Sequence, residues 1–304
     1  MKRVAFPLLL GAVLVSPAAL TVLPVSPTSP ATPSEIAPVQ AAPVSPVADA
    51  AAPIRLPHPL GDAFLLLPTA CATTCPLVVV SHSRGMTADL SLTRPHLMAL
   101  YGRLQNAGYA VLISNDAGPT TWGAPQALTY LGDMHARATR LFPFDGHTFN
   151  FGYSMGGLPA LLTAYAGVYP VSGVMLLDAQ VNLHDAWQGG NATFTADIAA
   201  AHGLRPADPL PPGRDPARDY PGAGAALPVL VAGSDADSAV SFARNGVALY
   251  TANTSPESRL LRLAGPHLGG THFGPVLVDP MLDFLSRVRA TQLAPAATEP
   301  ARTP

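Results

Sequence analysis

Between residues 63 and 288, short apolar runs alternate with longer amphipathic ones. Residues 63–67 form a brief apolar run. Residues 76–81 (Pro-Leu-Val-Val-Val-Ser) form a stronger one, β-branched and without polar alternation, as expected of a strand buried on both faces. Residues 90–105 predict a helix, with Leu92, Leu97, Leu100 and Leu104 on roughly one face and Asn106-Ala-Gly108 as its C-cap. Strand patterns follow at 109–114, at Thr148, Phe149 and Phe151, and at 171–177, 227–232 and 259–264. Helical patterns separate or follow them at 124–141, 158–166 and 276–288. This alternation predicts an α/β domain whose mostly parallel sheet is flanked by helices and joined by right-handed crossovers. Periodicity fails between about 179 and 226, a stretch rich in Gly, Pro, Asp and Ala, with Trp187 and Phe194 as its largest apolar groups. An irregular insertion there is expected to cap the site.

The ends of the chain follow other patterns. Met1-Lys2-Arg3 precedes an apolar stretch over 4–15 and the small residues Ser16, Ala18 and Ala19. Residues 1–23 therefore predict a secretory signal peptide, its apolar stretch too short to span a bilayer. An uncleaved anchor is the alternative. The expected location is secreted, periplasmic or cell-envelope, with membrane contact only through this segment. Residues 24–57 are rich in Pro, Ala, Val, Ser and Thr and read as an extended spacer, and 291–304 read as a disorder-prone tail. That leaves 58–290 for the folded domain, enough for one sizeable core.

Composition narrows the partners. The formal net charge is −2, with no basic stripe, which gives no electrostatic case for nucleic acid. The two cysteines, Cys71 and Cys75, sit in the turn between the first two apolar runs. In an exported chain they are expected to form a small local disulfide. No second Cys or His pair nearby has ligand spacing, so a metal site is not expected there.

The most specific chemistry lies at Gly152-Tyr153-Ser154-Met155-Gly156, a G-x-S-x-G between a β-prone run and an apolar helix. That is the setting of a nucleophile elbow, which lifts a serine above the sheet edge at the positive end of a helix. Such a serine needs a base, an acid and oxyanion donors. The strand at 227–232 runs into Gly233-Ser-Asp235-Ala-Asp237, so either carboxylate can be the acid; Asp237 is preferred because Ser-Ala-Val after it suits a turn into a helix. The strand at 259–264 runs into Gly265-Pro-His267-Leu-Gly-Gly-Thr-His272-Phe273. His267 directly follows the strand and is preferred as base, with His272 as rival. The order Ser, Asp, His is then satisfied. The amide after the serine, that of Met155, and an amide of the polar loop Ser81-His82-Ser83-Arg84-Gly85 are the expected oxyanion donors, with Arg84 preferred over Ser83. His82 precedes the nucleophile and is expected to support this loop by hydrogen bonding. Trp122 reads equally as a substrate wall or as a pin for its loop.

Taken together, Trp122-Gly123, Gly152-Tyr-Ser154-Met-Gly-Gly157 and Gly265-Pro-His267-Leu-Gly-Gly-Thr-His272-Phe273 resemble the α/β-hydrolase superfamily over about residues 63–288, in particular its secreted, esterase-like members. The resemblance implies a serine hydrolase acting on a small-molecule or lipid-like ester, with no cofactor or metal. Alternatives on the same fold are a peptidase, an acyltransferase or a non-catalytic exported binding module. One departure is that Ser83 follows His82 where the family usually has glycine.

Overall fold

The computed structural model describes residues 52–68, 71, 73–205, 208–220 and 226–293. The expected signal peptide and nearly all of the spacer and tail lie outside the described residues. Eight strands form one open sheet in the order β1-β2-β4-β3-β5-β6-β7-β8. They are β1 (Ile54–Leu56), β2 (Ala63–Leu66), β3 (Cys75–Ser81), β4 (Ala110–Ile113), β5 (Phe144–Tyr153), β6 (Gly173–Leu177), β7 (Val229–Ser234) and β8 (Arg259–Leu263). From β4 through β8 neighbouring strands pair in parallel; β2 pairs antiparallel with β1 and β4.

The unalternating strand runs are explained by burial on both faces. On β3, Val78 and Val80 face a core shared with Leu97, Leu100, Met281 and Phe284, whereas Leu77 and Val79 face one shared with Tyr130, Leu131 and Met134. The first core is closed by α2 (Pro95–Asn106) and α9 (Pro275–Leu293), the second by α3 (Pro125–Ala138). The helix expected over 90–105 is in fact two, α1 (Ala88–Leu92) and α2, because Pro95 disfavours a helical residue before it and starts a new helix at its first position. The Ile54–Leu56 strand starts the ordered domain a few residues before 58, and α9 carries it to Leu293. Cys71 and Cys75 are joined, with Cα atoms 5.7 Å apart.

The elbow helix α4 (Gly157–Tyr165) follows β5. The insertion between β6 and β7 carries α5 (Leu183–Gln188), α6 (Ala192–His202) and α7 (Pro216–Asp219) among irregular segments. Its apolar groups Leu183, Trp187 and Ile198 pack on Trp122, Met155 and Leu158, so the cap sits directly on the elbow. A π-turn at Ala243–Val247 and α8 (Ala248–Ala252) connect β7 to β8.

Candidate active site

Ser154 sits between β5 and α4 at φ +53°, left-handed backbone that a serine adopts only when its surroundings force it. The surroundings are the two glycines. A methyl at Gly152 would run into the Gly156 carbonyl, and one at Gly156 into the carbonyls of Ser81 and His82 at the end of β3. The turn is therefore as tight as the backbone allows, and it abuts the loop after β3.

Three side chains meet at the carboxyl edge of the sheet. His267 Nε2 lies 2.9 Å from Ser154 Oγ, and His267 Nδ1 lies 2.6 Å from Asp237 Oδ2. The second oxygen of Asp237 accepts from the amides of Ala239 at 2.8 Å and Val240 at 2.9 Å. Burial by itself would push the Asp237 carboxyl up; the hydrogen bonds from His267, Val240 and Ala239 outweigh it and hold the carboxyl below its ordinary value. Asp235 turns away and pairs with Arg262 at the surface.

His272 does not reach the serine. Its ring is buried, with Nδ1 2.7 Å from Asp178 Oδ2 and Nε2 3.1 Å from the Ala264 carbonyl. His82 Nδ1 lies 2.8 Å from the Ser83 carbonyl and Nε2 lies 3.1 Å from the Asn115 carbonyl, so the ring braces the loop as its position suggested. The Arg84 amide donates to no acceptor among the described residues, whereas that of Ser83 is directed at the buried Tyr153 hydroxyl; the Arg84 side chain reaches Asp197 on α6 at 2.5 Å. Trp122 is buried at φ +48°, its ring 5.0 Å from that of Phe194 on α6, and its carbonyl faces His202 at 3.2 Å. It pins its loop to the cap.

Sequence reasoning passed over two buried carboxylates. Asp116 gathers the hydroxyls of Ser81 and Ser114 and the His82 amide at 3.1, 2.6 and 3.1 Å; burial pushes its carboxyl up. Asp178 directly follows β6, at φ +45°. A carboxylate directly after an apolar strand at the carboxyl edge is the available signal for Asp178.

Asp178, Asp237 and His267 offer ligand-type atoms within 4.8 Å of one another. The 2.6 Å contact between Asp237 and His267 is that of a shared proton, shorter than the spacing between two ligands at about 2 Å from one ion in tetrahedral coordination. A cleft of about 300 Å³ beside His267's carboxylate partner is lined by Gln180, Asp185, Phe194, Asp237, Ser241 and Arg244.

The open, mostly parallel sheet and the elbow at its carboxyl edge define the α/β-hydrolase fold. Among solved structures, the chain is similar to Est1E from Butyrivibrio proteoclasticus (TM-score 0.60, 17% identity, 78% of this chain and 99% of that one). It is also similar to carboxyl esterase 2 from Tuber melanosporum (TM-score 0.59, 14% identity, 83% and 89%). A third is FphF, a fluorophosphonate-binding serine hydrolase of Staphylococcus aureus (TM-score 0.61, 12% identity, 78% and 96%). At these identities the likeness is one of fold. No protein-family model and no curated protein sequence matches the chain.

Proposed function

We propose that the protein is a serine hydrolase that cleaves carboxylic esters through an acyl-enzyme on Ser154. The observation that carries this is the continuous chain of contacts from Ser154 Oγ through His267 to Asp237, at 2.9 and 2.6 Å. His267 takes the hydroxyl proton as Oγ attacks the ester carbonyl, and Asp237 stabilises the imidazolium that forms. The amides of Met155 and Arg84 stabilise the oxyanion, each such donor being worth about 3 kcal/mol of barrier. His267 then protonates the departing alcohol. In the second half it takes a proton from water, whose oxygen attacks the acyl carbon and releases the acid and Ser154. The structural neighbours named above, two esterases and a serine hydrolase, support this reading.

The substrate class is a small-molecule or lipid-like ester, and the pattern at residues 1–23 supports export to the cell envelope or beyond. Ser154→Ala should abolish both turnover of chromogenic esters and labelling by a fluorophosphonate. Undiminished turnover in that variant removes the proposal, and products formed from amide or alcohol co-substrates would redirect it to a peptidase or an acyltransferase.

A further inference from the structure

The loop bearing His267 has little regular structure to hold it. It leaves β8 through Gly265 at φ +115° and places Leu268 at φ +48°, a conformation costly for a branched side chain. Its own backbone bonds are short-range turns, Gly269 to Pro266 and His272 to Gly269. Two groups tie it to the sheet: Ser234 on β7, whose hydroxyl donates to the Gly265 carbonyl at 2.6 Å where the loop begins, and, beyond His267, Asp178. One oxygen, Oδ2, accepts the amide of Leu268 at 2.8 Å and faces His272 Nδ1 at 2.7 Å. The amide of Asp178 in turn donates to the Ala232 carbonyl on β7 at 2.9 Å, fixing the carboxylate between the strands that carry Ser154 and Asp237.

We infer that Asp178 is a positioning residue for the proposed hydrolysis: together with His272 it clamps the loop that carries His267. The inference rests on the triad reading of the site. The amide it grips belongs to the residue immediately after His267, so any shift there is passed to the imidazole. His272 closes the far end of the same loop. Its Nδ1 faces the carboxylate and its Nε2 faces the carbonyl of Ala264, where the loop begins. Both ring nitrogens thus face acceptor oxygens, and the two side chains are buried, Asp178 at 0% and His272 at 1% exposed. Asp178 does not replace Asp237. Its other oxygen, Oδ1, has no hydrogen-bond partner among the described residues, and it is Asp237 that contacts His267. Asp178 therefore acts through Leu268 and His272 rather than on the reacting atoms.

Asp178→Asn keeps the shape and one acceptor oxygen but removes the carboxylate that faces His272 Nδ1. His272→Gln approaches the clamp from its other side. Each variant is assayed on a chromogenic ester, with kcat expressed per serine titrated by a fluorophosphonate so that only folded enzyme counts. A misplacement of about 1 Å costs about 10²-fold, so kcat per site should fall by about that factor with KM little changed. Because the two residues hold one loop, the double variant should be no worse than the poorer single. A parental kcat per site with only a lower melting temperature, a loss confined to KM, or losses that multiply in the double variant would overturn the inference. Ser154→Ala run alongside separates this result from the triad itself: residual turnover there defeats the triad reading whatever Asp178 does.

Discussion

Asp237→Asn changes one atom, and the structure dictates how the new side chain must sit. One carboxylate oxygen already accepts the amides of Ala239 and Val240, at 2.8 and 2.9 Å. Only the carbonyl oxygen of an asparagine can do that, so its NH2 group must face His267. His267 Nδ1, now 2.6 Å from an acceptor, would meet a donor and would have to accept. The imidazole proton then moves to Nε2, which donates to Ser154 Oγ and can no longer take its proton. Loss of the correct tautomer in a serine-protease triad lowers kcat about 10⁴-fold, or about 5 kcal/mol of barrier, and the same loss is expected here. The assay is kcat on a chromogenic ester, with the melting temperature measured in parallel. Both amide bonds survive in the asparagine variant, so at neutral pH it should lose only the stability that the lowered carboxyl contributes. At acid pH the two proteins should converge. The lowered Asp237 carboxyl contributes stability above its unfolded value, and this is lost as pH falls through the folded one, a component the variant lacks. Retention of more than about a tenth of the parental rate would refute the tautomer reasoning.

Other outcomes follow from the same geometry. In the turn closed by the Met86 amide on the Ser83 carbonyl, Gly85 is at φ +77°, which leaves Arg84 in the position that accepts proline. Arg84→Pro should therefore fold yet lose the oxyanion N–H, at about 3 kcal/mol of barrier, while Arg84→Ala keeps it and should turn over at the parental rate; parental kcat in the proline variant would move the donor to Ser83. The exposed Arg84–Asp197 pair broken by either change should alter stability by no more than about 1 kcal/mol, read by denaturant titration. His135 is held neutral by burial, its value lowered from 6.5 to about 4. The unfolded chain takes up this proton first, so stability should fall as pH drops from 6.5 towards about 4. His135→Gln should flatten that part of the melting profile, and an unchanged slope would assign it to other groups.

The architecture, and the short list of residues from which the candidate site is drawn, were legible in the amino-acid pattern. Unalternating runs such as Val78-Val79-Val80 can be satisfied only by a sheet covered on both faces, and the core clusters divide along those residues. The glycines around Ser154 announce a turn with no room for side chains, which is a local property. The choice between His267 and His272, or between Asp235 and Asp237, is not local. Each pair shares one loop and one composition, and only the approach of β5, β6 and β7 decides which ring meets Ser154 and which is taken by Asp178. Asp178 and Asp116 escaped notice for the same reason. Their partners lie far along the chain, from His82 to His272, and a buried carboxylate has meaning only once those partners have been brought to it.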